Sequence, residues 1–368
     1  MKKPGIILNL YLIMTILLAA CGANSPTPII SKTVVKLPPT GTAIPEFQKG
    51  ISYTTWWHGN YSSEESDNVL SGTIKPMKAN WISILVTCYQ DNIKSVEIQC
   101  LPDTKTPTDG DLAHAINYAH SLGLKVMLKP HLDLNNDDAH WRGDIGFGDD
   151  EAAWDAWFAS YDQFILHYAD LAQKNNADYF VIGTELAGTS KRIDQWRSLI
   201  NKVRTIYKGP LTYAANWGEV FDVYWWNDLD TIGVDAYYPL TNTDQPSLDQ
   251  LKEAWKPIVA RLGSLSVGWK RPIIITEIGY RSIKGANRFV DVQGGDPPID
   301  LQEQADCYQA VFEAFRGQAW WRGVYWWNWS PDPNDGGPQD NNFTANNKPA
   351  ENILRANYGA PPRAISAH

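Results

Sequence analysis

From about residue 47 onward, short apolar runs alternate with longer amphipathic segments. Runs rich in Val, Ile and Leu without polar alternation are typical of parallel strands buried on both faces. Segments with apolar residues at three- and four-residue steps are typical of helices packed on such a sheet. The runs with strand character are residues 50–54, 81–87, 124–129, 179–184, 211–215, 231–236, 272–276 and 323–327. Eight strands alternating with eight helices predict an α/β fold, the closed (β/α)8 TIM barrel.

The N-terminal segment differs from the rest in composition. Lys2 and Lys3 precede an apolar stretch that ends in Leu-Ala-Ala before Cys21, which predicts a lipoprotein signal peptide with a lipobox over residues 1–21. A single transmembrane anchor is the alternative, but the stretch is short for a bilayer span of about 20 residues. Residues 22–46 are rich in Ser, Thr and Pro and predict a tether. We therefore expect a barrel over residues 47–360, a tail over 361–368, and an extracytoplasmic location, secreted or lipid-anchored through Cys21 to the bacterial membrane.

Charge and cysteine content limit the classes of partner. The formal net charge is −9, and no basic cluster occurs, so nucleic acid is not an expected partner and an anionic polysaccharide is disfavoured. Cys88 and Cys100 flank a polar loop, and an exported protein can join them in a disulfide. Cys307 lies in a predicted helix and is expected to be buried. No Cys/His spacing predicts a metal site, and no Gly-rich phosphate motif predicts a cofactor.

Two glutamates stand at matching places in the pattern. Glu185 follows the fourth apolar run and Glu277 follows the seventh. The carboxyl ends of barrel strands form the mouth at which TIM-barrel chemistry takes place, and the fourth and seventh strands face each other across it. One such glutamate alone would be an ordinary surface acid. Two that converge there predict the carboxyl pair that hydrolyses a glycosidic bond.

Other polar side chains end neighbouring strands. Tyr237 follows the sixth strand, beside the seventh, so its hydroxyl is expected to hold Glu277. Lys129 and His131 share one face at the end of the third strand and are expected to reach the mouth and bond sugar hydroxyls. The alternative for His131 is a structural histidine bonded to a nearby loop. A metal role is not expected, since no further ligand is spaced to join it.

Tryptophan is abundant, with 17 among 368 residues, and several occur as pairs near predicted strand ends. Core filling explains part of this content. Because the C–H faces of sugars pack on indole rings, the set as a whole favours a carbohydrate groove. The candidate platforms are Trp327, then Trp329, then Trp56.

The motifs Gly183-Thr184-Glu185-Leu186 and Thr276-Glu277-Ile278-Gly279-Tyr280 resemble those of clan A glycoside hydrolases, and within the clan those of the family 113 β-1,4-mannanases. The resemblance spans about residues 49–359. It implies double displacement with retention on mannan or manno-oligosaccharides, with Glu185 as acid/base and Glu277 as nucleophile. It also implies an aromatic floor at the end of the eighth strand.

Two positions depart from the clan pattern. Thr184 stands where most clan members carry an Asn that contacts the 2-hydroxyl of the sugar, and Asn216 is the candidate substitute donor. Thr87 and Cys88 stand where many members carry an arginine.

Three alternatives remain open at this stage. The barrel could act on another neutral β-glycan, such as a glucan or galactan, or as an exo-β-mannosidase. A sugar-binding lipoprotein would share the lipobox, tether and tryptophans but would have two lobes and no need for paired carboxylates. A barrel could also bind glycan without cleaving it. In each case the expected partner is a neutral β-linked polysaccharide or oligosaccharide.

Overall fold

The computed structural model describes residues 46–288 and 297–365. Its eight strands are all parallel and close into one barrel in chain order, which confirms the TIM-barrel prediction. The strands are β1 (Gln48–Tyr53), β2 (Trp81–Gln90), β3 (Lys125–Leu134), β4 (Tyr179–Thr184), β5 (Leu211–Asn216), β6 (Ile232–Asp235), β7 (Ile273–Ile278) and β8 (Trp321–Trp329). The third strand extends five residues beyond its predicted end, so His131 and Asp133 belong to the strand itself.

The described residues contain seven α-helices, not the eight that were predicted. They are α1 (Glu64–Val69), α2 (Asp109–Ser121), α3 (Glu151–Lys174), α4 (Ile193–Ile206), α5 (Leu248–Trp269), α6 (Leu301–Phe315) and α7 (Pro349–Tyr358). Between β5 and β6 the chain makes only two 3₁₀ turns, Glu219–Phe221 and Trp226–Asp228. The buried apolar residues of this connection are Val220, Val223, Trp225, Trp226 and Leu229.

Local sequence explains where several helices begin. Thr108 and Asp111 form a reciprocal capping box at the start of α2, and Ser247 and Gln250 do the same for α5. The aromatic stripe of α3 lies in the core, as predicted. A separate cluster fills the barrel interior below the mouth and consists of Trp81, Met127, Tyr179, Val181, Ala214, Ile274 and Tyr325. The mouth therefore rests on a packed floor, which holds the side chains above it in place.

Several paired tryptophans are core residues. Trp225 and Trp226 are fully buried, and their indole N–H groups donate to the carbonyls of Ser190 and Val220 at 3.0 and 3.1 Å. Trp326 is also fully buried. The expectation that the set as a whole lines a groove is wrong for these three residues, because all of them are packed inside the fold.

The sulfurs of Cys88 and Cys100 are bonded, which closes the loop at the end of β2, and Cys307 is buried in α6. The predicted signal peptide, the lipidation site Cys21 and the tether up to residue 45 lie outside the described residues and stay predictions, and so does part of the C-terminal tail. None of the helices within residues 46–288 and 297–365 is long and apolar enough to cross a membrane.

Candidate active site

A cavity of about 700 Å³ opens at the carboxyl ends of the strands. This volume is in the range of small-molecule binding sites. The lining residues come from seven strand ends and the loops that follow them: Trp56, His131, Asp133, Trp141, Arg142, Glu185, Asn216, Trp217, Tyr237, Glu277, Trp327 and Phe343. Both glutamates singled out in the sequence therefore face one cavity.

Glu277 lies near the end of β7 and is surrounded by hydrogen-bond donors. Lys129 Nζ lies 2.5 Å from its Oε1, and Tyr237 Oη donates to its Oε2 at 3.0 Å. His131 Nε2 faces Oε1 at 3.4 Å. Burial by itself would raise the pKa of Glu277, but the charge of Lys129 and the contact with His131 outweigh it and lower that pKa to about 2. Glu277 is therefore ionised at neutral pH.

Lys129 lies beneath the cavity rather than on its wall, and its side chain is only 1% exposed. Its ammonium contacts Asp235 at 3.2 and 3.3 Å as well as Glu277. Thr276 donates to Asp235 Oδ1 at 2.7 Å. The expectation that Lys129 bonds sugar hydroxyls is therefore wrong. Lys129 and His131 do share a face, but Lys129 is two residues deeper in the barrel, where only carboxylates are within its reach.

Asp235 is a third carboxyl group in this region and is completely buried. Burial raises its pKa well above the ordinary value, the charge of Glu277 raises it further, and Lys129 opposes both effects. One ammonium therefore serves two carboxyl groups. Because the pKa of Asp235 is raised and that of Glu277 is lowered, the positive charge of Lys129 favours the ionised form of Glu277 more.

Glu185 directly follows β4 and has the opposite electrostatic setting. Asn216 Nδ2 donates to its Oε1 at 3.1 Å, and Arg142 Nη1 lies 3.6 Å from its Oε2. Burial raises the pKa of Glu185, Arg142 lowers it, and the negative charge of Glu277 raises it again, with a net upward shift. Its backbone adopts a φ of +54°, which non-glycine residues rarely do, and its N–H donates to the carbonyl of Ala214 at 2.8 Å.

Arg142 lines the cavity but was not predicted as a site residue. It begins a short 3₁₀ turn in the polar loop after β3, where no periodicity marks it, although it is the only arginine of that loop. Its guanidinium bonds Asp133 Oδ2 at 3.2 Å and His131 Nδ1 at 3.3 Å and approaches Glu185. The clan arginine that was expected after the second strand is absent, and the cation beside the acid/base candidate comes from a different loop.

The contact with Arg142 also determines the state of His131. A guanidinium can only donate, so His131 Nδ1 must accept and the ring proton lies on Nε2, which faces Glu277. Burial lowers the pKa of His131 to about 4, with smaller effects of Arg142 and Lys129 in the same direction. His131 is therefore a neutral donor at neutral pH.

Aromatic rings form the walls of the cavity. Trp327, on β8, lies parallel to the His131 ring with centroids 6.4 Å apart. The Trp56 ring meets the Trp327 ring edge-on, with centroids 6.2 Å apart. Trp141 and Trp217 lie beside Arg142 and Asn216, the two residues that contact Glu185. Sequence reasoning selected Trp327 and Trp56 but not Trp141 or Trp217, which lie in loops without a strand pattern.

Trp329 is a core residue, only 2% exposed, and does not line the cavity. Strict alternation along β8 predicted that Trp327 and Trp329 share a face. The pairing between β1 and β8 is irregular between Ile51 and Tyr53, so the alternation does not hold to the end of the strand. The prediction of Trp329 as a sugar platform is therefore wrong.

No group of three or more His, Cys, Asp or Glu side chains suited to a metal ion occurs in the described part of the chain. The chemistry available at this site is instead that of the two facing carboxyl groups. One is ionised and held by donors, and the other has a raised pKa.

A (β/α)8 barrel with such a pair at the ends of its fourth and seventh strands defines a glycoside hydrolase, and the protein is a glycosidase. The sequence matches Glycoside Hydrolase Family 113 over residues 52–348, so the chain belongs to that family.

Solved structures agree with this assignment. The chain is similar to a GH113 β-1,4-mannanase at 30% identity and a TM-score of 0.77, with 86% of this chain and 100% of that chain covered. It is also similar to the GH113 β-mannanase AaManA from Alicyclobacillus acidocaldarius, solved in complex with ManMIm, at 28% identity and the same TM-score, with 86% and 98% covered. A Faecalibacterium prausnitzii β-glucuronidase, at 13% identity and a TM-score of 0.56 over 49% of its length, shares only the fold. Among curated proteins no match was found.

Proposed function

We propose that this glycosidase is a retaining β-1,4-mannanase in which Glu277 is the nucleophile and Glu185 the acid/base. The observation that carries the proposal is the opposite setting of the two carboxyl groups. Donors and a buried ammonium lower the pKa of Glu277, whereas burial and the charge of Glu277 raise that of Glu185. A nucleophile must be ionised and an acid must carry a proton at the same pH, and the opposite directions of the two pKa shifts favour this division of roles.

In the first step Glu277 attacks the anomeric carbon while Glu185 gives its proton to the glycosidic oxygen. The bond to the leaving sugar breaks, and a covalent glycosyl-enzyme forms. Tyr237 and Lys129 hold one oxygen of Glu277 each, which fixes the carboxylate for attack. His131 Nε2–H points to the same side of the cavity and orients the nucleophile further.

In the second step Glu185 acts as a base. The ester at Glu277 carries no charge, so it no longer raises the pKa of Glu185, while Arg142 still lowers it. Glu185 can then accept a proton from water, which attacks the anomeric carbon and restores Glu277 with net retention. One change of charge therefore adapts the same side chain to both roles.

Mannan as the substrate rests on similarity and on the character of the cavity. Two of the similar structures are described as β-1,4-mannanases. Aromatic rings suit the C–H faces of sugars, with Trp327 as the floor. Both cations at the described site, Lys129 and Arg142, already contact carboxylates, which favours a neutral glycan. A single closed barrel also disfavours the two-lobed sugar-binding lipoprotein.

The test is product analysis on β-mannan, manno-oligosaccharides, β-glucan and β-galactan, with proton NMR of the first anomer released. We expect cleavage of the mannosides with the β-anomer appearing first. Cleavage of glucan with mannan untouched would contradict the substrate, and an initial α-anomer would contradict retention. Glu277→Gln should abolish turnover of every substrate, and unchanged turnover in this variant would remove the nucleophile assignment.

A further inference from the structure

A third buried glutamate, Glu219, lies behind the acid/base and has no part in the steps above. It begins the first 3₁₀ turn after β5 and is 6% exposed. Burial raises its pKa to about 8, although hydrogen bonds from Tyr213 and Asn216 oppose the shift. A buried carboxyl group is costly to keep in a fold, so its contacts call for an explanation.

One oxygen of Glu219 supports the backbone at Glu185. Tyr213 Oη donates to Glu219 Oε1 at 2.7 Å. The same hydroxyl accepts the N–H of Leu186 at 2.7 Å, and this peptide directly follows Glu185. Since Glu185 has a left-handed φ, its neighbouring peptide must be held to keep the side chain directed into the cavity. The Tyr213 hydroxyl and Glu219 provide that hold.

The other oxygen of Glu219 supports the side chain of Glu185 through Asn216. The backbone N–H of Asn216 donates to Glu219 Oε2 at 3.1 Å. The Asn216 side chain accepts from the N–H of Gly218 at 3.0 Å with its oxygen, so its Nδ2 is the atom that faces Glu185, at 3.1 Å. Glu219 therefore contacts both supports of Glu185, one through each carboxyl oxygen.

Only a carboxyl group meets this arrangement. Both partners donate, and both oxygens of a carboxyl group can accept whether or not it is protonated. Glutamine has the same shape but only one acceptor atom. Its NH₂ group would face either the Asn216 N–H, which then loses its acceptor, or the Tyr213 hydroxyl, which must then accept from the NH₂ group and leaves its own proton without an acceptor there.

We propose that Glu219 is a positioning residue for Glu185, and that its two hydrogen bonds hold the acid/base where it transfers protons. The inference rests on the proposed acid/base role of Glu185 for any β-glycoside and does not depend on which glycan is cleaved. It predicts that damage at Glu219 slows those steps that need a proton and spares those that do not.

The test compares Glu219→Gln with the unmutated protein on two substrates. Mannotetraose has a sugar leaving group that needs a proton, whereas 2,4-dinitrophenyl β-mannoside has one that does not. We expect kcat/KM to fall about 10-fold or more for mannotetraose and to stay within about threefold for the aryl mannoside. Because kcat/KM reports only the first step, in which the glycosyl-enzyme forms, the base role of Glu185 in the second step is measured by kcat. In Glu219→Gln we expect kcat for the aryl mannoside to fall. It should recover with azide, a nucleophile that needs no base.

A general loss of structure would lower kcat/KM for both substrates equally, and that result would overturn the proposal, as would no change for either. Tyr213→Phe is the second variant, since it removes only the hydroxyl between Leu186 and Glu219, and the same split between substrates is expected. The matched control is Glu351→Gln in α7. Glu351 is also buried and accepts the N–H of Asn347 at 2.8 Å, but it bonds Arg355 instead of a catalytic support.

A crystal structure of Glu219→Gln tests the positioning without any substrate. We expect loss of either the 2.7 Å bond between Leu186 N and Tyr213 or the 3.1 Å bond between Asn216 Nδ2 and Glu185. Both bonds unchanged would overturn the inference even if the unmutated protein proved inactive on mannosides. Inactivity of the unmutated protein on both substrates would instead refute the proposed function.

Discussion

Lys129→Met tests whether the buried ammonium keeps Glu277, the proposed nucleophile, ionised. Methionine is similar in length and can fill the same space, but it removes the charge 2.5 Å from Glu277 Oε1. Glu277 then keeps only Tyr237 and the neutral His131 as donors. Burial, which alone would raise the pKa of Glu277, is no longer offset by a positive charge. The acidic limb of the activity profile should therefore move to higher pH.

The size of the shift follows from the geometry. Unit charges about 3 Å apart attract by roughly 5 kcal/mol at an effective dielectric constant of about 20. A shift of two pKa units corresponds to about 2.7 kcal/mol, so about half of that attraction is sufficient. We expect the pKa of Glu277 to rise from about 2 to about 4 or above. The pKa of Asp235, which burial already raises, should rise as well, because Lys129 lowers it in the unmutated protein.

The assay is kcat/KM on a β-mannoside between pH 3 and 8, since kcat/KM reports the free enzyme. Lys348→Met is the matched control, because Lys348 is equally buried but bonds Ser282 and Asp340 at 2.9 and 3.2 Å and contacts neither Glu185 nor Glu277. The reasoning is refuted if folded Lys129→Met shows the same acidic limb as the unmutated protein.

The same substitution has a consequence for stability. The pKa of Glu277 is lowered on folding, so its contribution to the free energy of unfolding is fully present above its ordinary value of 4.5 and is lost as the pH falls towards about 2. In Lys129→Met a folded-state pKa near 4 lies close to the ordinary value, so the free energy of unfolding should fall much less as the pH drops from 4.5 to about 2. Urea unfolding at several pH values measures it.

Three further outcomes are expected. Tyr237→Phe removes the 3.0 Å bond to Glu277 Oε2 and should lower kcat about 10-fold without changing the melting temperature; an unchanged kcat would contradict the role of the hydroxyl. Trp327→Ala removes the proposed floor and should raise KM for manno-oligosaccharides by up to about 10-fold, with a smaller effect on kcat. A large fall in kcat with an unchanged KM would exclude Trp327 as a sugar platform. Replacing Cys88 and Cys100 together by Ser opens a disulfide across 12 residues and should lower the free energy of unfolding by about 2–3 kcal/mol in urea, whereas equal urea curves would show that the bond contributes nothing.

The barrel and the identity of the two carboxyl groups could be predicted because their signals are local. A strand buried on both faces must be apolar throughout, so each run is visible in the sequence by itself. Chain order then determines position, since successive parallel strands joined by helices close into a barrel in sequence. Glu185 and Glu277 follow two of these runs, and Tyr237 follows a third, so counting strands was enough to bring them to the same mouth.

The depth of a side chain in the barrel and the face of a strand on which it lies depend on residues far apart in the chain. The two predictions that rested on them were wrong. Lys129 and His131 share a face, but only the packed barrel shows that the first is buried under carboxylates while the second reaches the cavity. Trp329 was misplaced because strand alternation depends on the register with a neighbouring strand, and this register is irregular between β1 and β8.

The sequence by itself determined which residues end the barrel strands, because burial on both faces leaves an apolar run that a polar residue must terminate. Only the tertiary structure decided what each of those residues does. Arg142 and Glu219 come from loops without a repeating pattern, yet they contact the groups that hold Glu185 and Glu277. The pKa of a buried carboxyl group depends on charges and donors within a few ångströms, and residues far apart in the chain supply them.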